Sequence, residues 1–334
     1  MHVLDQLERL LQPWNGKQLQ FVKINVVAAN DQIADQVRLI LGSTFHGKKS
    51  SPPAVSYVIG KLRHPGALVA MDAVAVNPSA KLQGLTLKFL KSPDLGGIES
   101  QAHLSVLPAG PKVYISGQAE KGKDLAEMTR RTMESLGATL KHLKLEWKDV
   151  YQIKSFIGPI TAVDDAEREI ASFFKGDDIP PLVFVEWTTE PSIEIELIAS
   201  SKQGPEKAGD TVEFITPPGM TASPVFSRVA RVAAGPTIYI SGLYGDSQEK
   251  PEAEIREIFG HLGKVLDKTG SDFRHLVKAT YYVSTNEAST KLGTIRPEFY
   301  NPQRPPAASK APVTGTGRAG RTITIDMIAT PSSK

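Results

Sequence analysis

The chain has 334 residues, enough for two or three domains that each bury a core. Hydrophobic residues make up 40% and charged residues 22%, an ordinary globular balance; a net charge of +3 without a Lys/Arg block gives no basis for nucleic-acid binding. Cysteine is absent, which excludes disulfides, thiol catalysis and Cys-bound zinc together and fits a reducing, cytoplasmic setting.

Residues 1–11 place Leu4, Leu7, Leu10 and Leu11 on one face of an amphipathic helix. They lack the basic start and long apolar stretch of a signal peptide, and no run of eighteen apolar residues predicts a membrane span. A strand over 21–28, a helix over 31–41, Pro52-Pro53 and a closing strand pair follow. A fuller pass then begins, with strands at 85–90, 103–107 and 112–116. Its helix over 124–143 carries Leu125, Met128, Thr132, Leu136, Leu140 and Leu143 at three-to-four spacing. A strand at 149–157, a helix at 163–174, Pro180-Pro181 and strands at 182–188 and 192–199 complete it. The third pass has strands at 211–217 and 229–241, a helix at 251–269 and a strand at 276–283. A helical stretch at 288–300, Pro305-Pro306 and final strands ending at Ala329 close it.

Short phrases recur within these passes. Ala109-Gly110-Pro111-Lys112-Val113-Tyr114-Ile115-Ser116-Gly117 returns 125 residues later as Ala234-Gly235-Pro236-Thr237-Ile238-Tyr239-Ile240-Ser241-Gly242. An acid inside a closing apolar strand occurs three times, at Asp72, Glu196 and Asp326, spaced 124 and 130 residues apart. A period of that size predicts tandem globular units, since solenoid repeats are far shorter. The units are read as 1–80 (lacking the first strand pair), 81–202 and 203–334, each an α+β layer with helices on one sheet face. The opposite sheet faces are apolar enough to need cover, most simply from one another. The first unit's open edge needs a neighbour.

The Tyr-Ile-Ser-Gly strand end before a long helix, the strand phrases at 149–157 and 276–283, the paired prolines and the closing Ile193-Glu194-Ile195-Glu196-Leu197-Ile198-Ala199 resemble the Rid family (reactive intermediate deaminases, YjgF-like, also termed endoribonuclease L-PSP). The ordered set is specific where no single motif is. The resemblance implies chorismate-mutase-like units whose sheets pack into a trimeric barrel with helices outside, and ligand clefts between subunits. Three copies in one chain then look like a covalent pseudo-trimer.

Family deaminases hydrolyse enamines and imines, using an arginine that clamps the substrate carboxylate and a carboxylate that handles water. By resemblance the arginine falls in a Pro-x-Arg phrase, which reads here Pro53-Ala54-Val55, Pro180-Pro181-Leu182 and Pro306-Ala307-Ala308; it is absent from all three. The carboxylate falls on Glu194, replaced by Ala70 and Thr324 in the other copies. A family tyrosine corresponds to Gln101 and Phe226, and the polar position of the second helix to Glu167 and Gly293.

Glu194 is accordingly the candidate catalytic group, with an interface salt bridge as its alternative role. Ser116, Gly117, Gln118, Ser241 and Gly242 are candidate ligand contacts, against turn chemistry for the Ser-Gly pairs. Arg304 and Lys310 are candidate substitute cations, against loop capping and plain solvation respectively. Gly315-Thr316-Gly317-Arg318-Ala319-Gly320-Arg321 reads as a glycine-rich hairpin rather than a phosphate loop. The seven histidines show no ligand spacing, so no metal and no cofactor are expected. The leading expectation is a pseudo-trimer with degenerate clefts that bind a small, carboxylate-type metabolite or serve as scaffold. A divergent imine or enamine hydrolase using Glu194 is the rival, and a nuclease-like activity has no aromatic or basic support. Neither nucleic acid nor membrane is an expected partner, and further homo-oligomerisation is left open.

Overall fold

The computed structural model describes residues 2–11, 20–46, 52–76, 87–92, 98, 100–107, 109–176, 178–248 and 250–332. The first two residues of the strand expected at 85–90, and the expected boundary at 80/81, lie outside them. The elements in order are α1 (His2–Leu11), β1 (Gln20–Ala28), α2 (Asp31–Phe45), β2 (Ala54–Ile59) and β3 (Val69–Val76). Next come β4 (Lys88–Leu90), β5 (Leu104–Val106), β6 (Lys112–Gln118), α3 (Leu125–His142), β7 (Val150–Ile157), α4 (Val163–Ala171), β8 (Leu182–Glu186) and β9 (Ile193–Ser200). The remainder is β10 (Val212–Ile215), β11 (Val229–Val232), β12 (Ile238–Leu243), α5 (Pro251–Lys268), β13 (Leu276–Val283), α6 (Asn286–Ile295), β14 (Ala307–Pro312) and β15 (Ile323–Ala329).

Helix starts follow local chemistry. Asn30, Asp124 and Thr285 each accept a hydrogen bond from the backbone N–H three residues on, and Pro251 opens α5, where its missing N–H costs nothing. Period-two alternation then sorts the strand faces. In β9, Ile193, Ile195, Leu197 and Ala199 pack with α3 and α4, which turns Glu194 and Glu196 to the other face. Helices α5 and α6 cover the β12–β15 sheet in the same way, and Leu4, Ala34, Val37 and Leu41 cover β1.

Among the described residues four sheets form, with orders β2-β1-β3, β10-β11-β6-β9-β7-β8, β12-β15-β13-β14 and β4-β5, and none of them closes on itself. Their helix-free faces meet. Val27 and Val58, Phe156, Val185 and Trp187, and Tyr282, Ala311 and Val313 come from three different sheets into one apolar cluster. Phe156 stacks on Trp187 at 6.2 Å and meets Tyr282 edge-on at 6.4 Å within it.

Three expectations need correction. The strand read over 229–241 is two strands in different sheets: β11 pairs with β6, and β12 with β15. Gly235-Pro236 breaks the run, because proline has no N–H for a continuing ladder. The β10–β11 pair, assigned from sequence to residues 203–334, thus extends the sheet of β6, β9, β7 and β8, while among the described residues β4 and β5 pair only with each other. Finally, β14 and β15 flank β13 on opposite sides, so 313–322 is a crossover rather than a hairpin, and the other closing pairs, β2/β3 and β8/β9, straddle β1 and β7 likewise. Among the described residues β3 pairs only with β1. No helix among them is long and apolar enough to cross a membrane.

Candidate functional site

Both Ser-Gly pairs sit inside strands, at β-bulges, rather than in turns. The register jumps between Ile115 and Gln118 against β9, and between Ser241 and Leu243 against β15. Each bulge brings backbone very close to a neighbour. A Cβ on Gly117 would lie 2.0 Å from Glu194 Oε1, and one on Gly242, at φ 65°, 2.4 Å from the Val55 carbonyl oxygen. Glycine is therefore a steric requirement at Gly242, where the neighbour is backbone, whereas at Gly117 a larger residue would displace the Glu194 side chain.

The serines differ in use. Ser116 is buried; its hydroxyl donates to the Ser227 carbonyl and accepts from Ala308 N–H at 2.7 Å, fastening β6 to β14. The Ser241 hydroxyl is enclosed without a partner among the described residues. Gln118 donates to Thr139 Oγ1 at 2.9 Å, which turns its amide toward α3.

Where β6, β9 and β14 meet stands Glu194. Its Oε1 is enclosed and unpartnered, although the residue as a whole keeps partial exposure. Burial pushes its carboxyl up to about 7; repulsion from Glu196 adds to this, while the Ser309 hydroxyl and the charges of Lys278 and Lys310 oppose it. Lys310 is half-buried and makes no hydrogen bond or ion pair among the described residues. Burial, then repulsion from Arg296, lowers its amine from the ordinary lysine value, with Glu194 pulling the other way. Arg304, the other candidate cation, holds the Val212 carbonyl at 3.1 Å and the Arg274 carbonyl at 3.4 Å, and covers the Phe214 ring, so it acts as a loop clamp. Sequence reasoning missed Arg296, buried at 8% exposure with its guanidinium 4.8 Å from the Tyr281 ring.

The interface ion pair considered for Glu194 belongs instead to Glu196. Lys278 bonds it at 2.5 Å and Ser309 at 2.6 Å, all three being buried. Lys23 pairs in the same way with Asp326, which also accepts from Ser56 at 3.0 Å. Ser56 and Ser309 hold equivalent register positions, opposite Asn25 and Thr280, which face Asp72 and Asp326. The third acid, Asp72, accepts from Asn25 at 2.8 Å and feels the charge of Lys154, whose amine donates to Tyr282 Oη at 2.6 Å. The recurrent acids of the sequence are thus members of a buried charge network spanning three sheets. Its lysines had a readable signal, each interrupting an apolar strand.

The two other sheet junctions are engaged. Beside β2 and β12, Arg38 lies 4.5 Å over the Tyr57 ring and donates to the Gly317 carbonyl at 2.6 Å, while Thr324, in place of Glu194, donates to the Leu243 carbonyl. Beyond β8, Arg63 holds both Glu167 oxygens, at 2.6 and 2.7 Å, and Asp164 at 2.7 Å. Among the described residues, no group of three or more His, Asp or Glu side chains is placed to hold a metal.

Residues 220–330 match the family model described as Endoribonuclease L-PSP. Over these residues the chain is similar to the Rid/YjgF family. Similar solved structures include a YjgF-family protein of Neisseria meningitidis (17% identity, 36% of this chain and 94% of that one, TM-score 0.28). A Rid-family protein of Yersinia pestis, YyfB, matches at 19% identity over 35% of this chain and all of its own (TM-score 0.32). The Escherichia coli YjgF product matches at 22% identity over 28% of this chain and 87% of its own (TM-score 0.26). No curated protein matches the chain.

Proposed function

We propose that this Rid-like chain is one module occurring three times, over 1–80, 81–202 and 203–334, arranged about a pseudo-threefold axis, with one junction kept as a small-molecule site. The cyclic charge pattern supports the arrangement. Lys23 and Ser56 of the first copy meet the acid of the third, and Lys278 and Ser309 of the third meet the acid of the second. Lys154 of the second copy faces Asp72 of the first, which completes the cycle. The exchanged β10–β11 pair is a further bond between copies.

The ligand is a small carboxylate-bearing metabolite held where β6 and β14 meet, with Lys310 supplying the cation that Ala308 no longer provides. The observation that carries this reading is the enclosed, unpartnered Glu194 oxygen over Gly117. An enclosed carboxylate oxygen without a hydrogen-bond partner among the described residues is costly, so its presence favours function over packing. The Arg38 and Arg63 junctions serve as scaffold. A cytoplasmic setting rests on the cysteine-free composition.

An imine or enamine hydrolase at the same place is the second reading, favoured by a carboxyl poised near 7, where it both takes and gives protons at neutral pH. Thermal shift with pyruvate, comparing wild type with Lys310→Met, tests the site: a ligand-dependent rise in Tm lost in the variant supports it, and an unresponsive wild type refutes it. Turnover of 2-aminoacrylate-type imines generated in situ, lost in Glu194→Gln, supports the hydrolase; background rates in both leave binding alone.

A further inference from the structure

We infer that Lys310 captures its ligand covalently: its amine condenses with the carbonyl carbon of a small aldehyde or ketone that carries a carboxylate, and Glu194 moves the proton. This rests on the site and ligand of the reading above but changes the role of Lys310 there from cation to nucleophile, the ligand carboxylate passing to Arg296. Three features of the junction converge. Lys310 follows Ser309 on β14, the strand that Ser116 fastens to β6 at the bulge where Glu194 overlies Gly117. Its amine is unengaged among the described residues, whereas Lys278 is committed to Glu196 and Lys154 to Tyr282. A fixed cation, Arg296, stands near enough to repel it, and Arg296 Nε is enclosed without a partner.

A lysine becomes a nucleophile when burial or a neighbouring cation favours the neutral amine, and both act on Lys310. The same guanidinium selects the ligand, because a carboxylate on the carbonyl compound gives Arg296 its missing anion. In the first step the Nζ lone pair forms a bond to the carbonyl carbon. The C=O π pair moves to oxygen, which takes a proton, and nitrogen loses one, giving a carbinolamine. In the second step the Glu194 carboxyl protonates the departing hydroxyl, water leaves, and the nitrogen lone pair closes the C=N bond. The products are a protonated imine and one water; the imine nitrogen then returns its proton to the Glu194 carboxylate, and no oxidant or reductant is consumed. The equivalent residue after Ser56 is Tyr57, beneath Arg38, so the first copy lacks the amine.

Trapping tests this directly. Full-length protein is incubated with pyruvate and sodium cyanoborohydride, and peptides are mapped by mass. The expected result is a gain at Lys310 equal to the carbonyl compound less water plus two hydrogens, in clear excess over exposed Lys121. That adduct is lost in Lys310→Arg, which keeps the charge, and slowed in Glu194→Gln, with circular dichroism confirming that both variants fold. Acetone, lacking the carboxylate, labels Lys310 no better than Lys121. Even labelling across lysines, or none, while pyruvate still raises Tm overturns the covalent step and leaves the site reading standing. Absence of both labelling and Tm response removes the two together.

Discussion

Replacing Glu194 by Gln converts a buried acid into a neutral near-isostere and exposes its linkage to folding. The folded carboxyl is raised from 4.5 to about 7. Below pH 4 it is protonated in both folded and unfolded chains and contributes no pH dependence. Between about 4.5 and 7 the native state holds a proton that the unfolded chain has released, so wild-type stability falls as pH rises through that window. Above 7 the charge is buried in full. At about 1.4 kcal/mol per unit the ceiling is roughly 3 kcal/mol. Partial exposure of the side chain discounts this to about 1–2 kcal/mol. Calorimetric melts of wild type and Glu194→Gln at pH 4.5, 6 and 8 should therefore diverge. The variant gains on wild type toward high pH, and the gap nearly closes at 4.5. Parallel curves across the range, or wild type gaining as pH rises, would refute the assignment of Glu194 as a desolvated acid.

The remaining expectations concern the framework. Ser116→Ala strands the buried Ala308 N–H and costs about 1–3 kcal/mol, whereas Ser241→Ala, whose hydroxyl has no partner among the described residues, changes stability in urea titration by less than about 0.5 kcal/mol. Lys278→Met leaves Glu196 charged and buried, for a loss of about 3–5 kcal/mol; the double variant Lys278→Met/Glu196→Leu recovers most of it in the same urea titration. Gly117→Ala drives a Cβ into Glu194 Oε1, lowering stability by about 1–3 kcal/mol and altering the pH divergence described above. Arg304→Ala, by removing a loop clamp rather than a ligand contact, leaves the pyruvate-induced Tm shift unchanged while lowering the baseline Tm.

Local periodicity carried the reading a long way, and its failures have a common cause. The helix over 124–143 and the strand at 276–283 were legible because their apolar spacing is set by residues within the element itself. The repeated acids were legible as a pattern, and alternation put Glu194 and Glu196 on one face. Which of the two would be neutralised depended on Lys278 arriving from another sheet, 82 residues away. No window of sequence contains that information. The same holds for β11, whose residues specify a strand while its pairing is decided by the edge that the distant β6 presents. Ser116 and Ser241 make the point most sharply, since identical Tyr-Ile-Ser-Gly phrases each give a bulge. One hydroxyl bridges two segments and the other is left without a partner, because Ser227 stands only beside the first. On the proposed three-copy reading, the element is written in the repeat, whereas the chemistry is written in what each copy meets. On that same proposal, divergence among copies becomes function at the junctions, and Lys310 beside Glu194, against Tyr57 beneath Arg38, is where it concentrates.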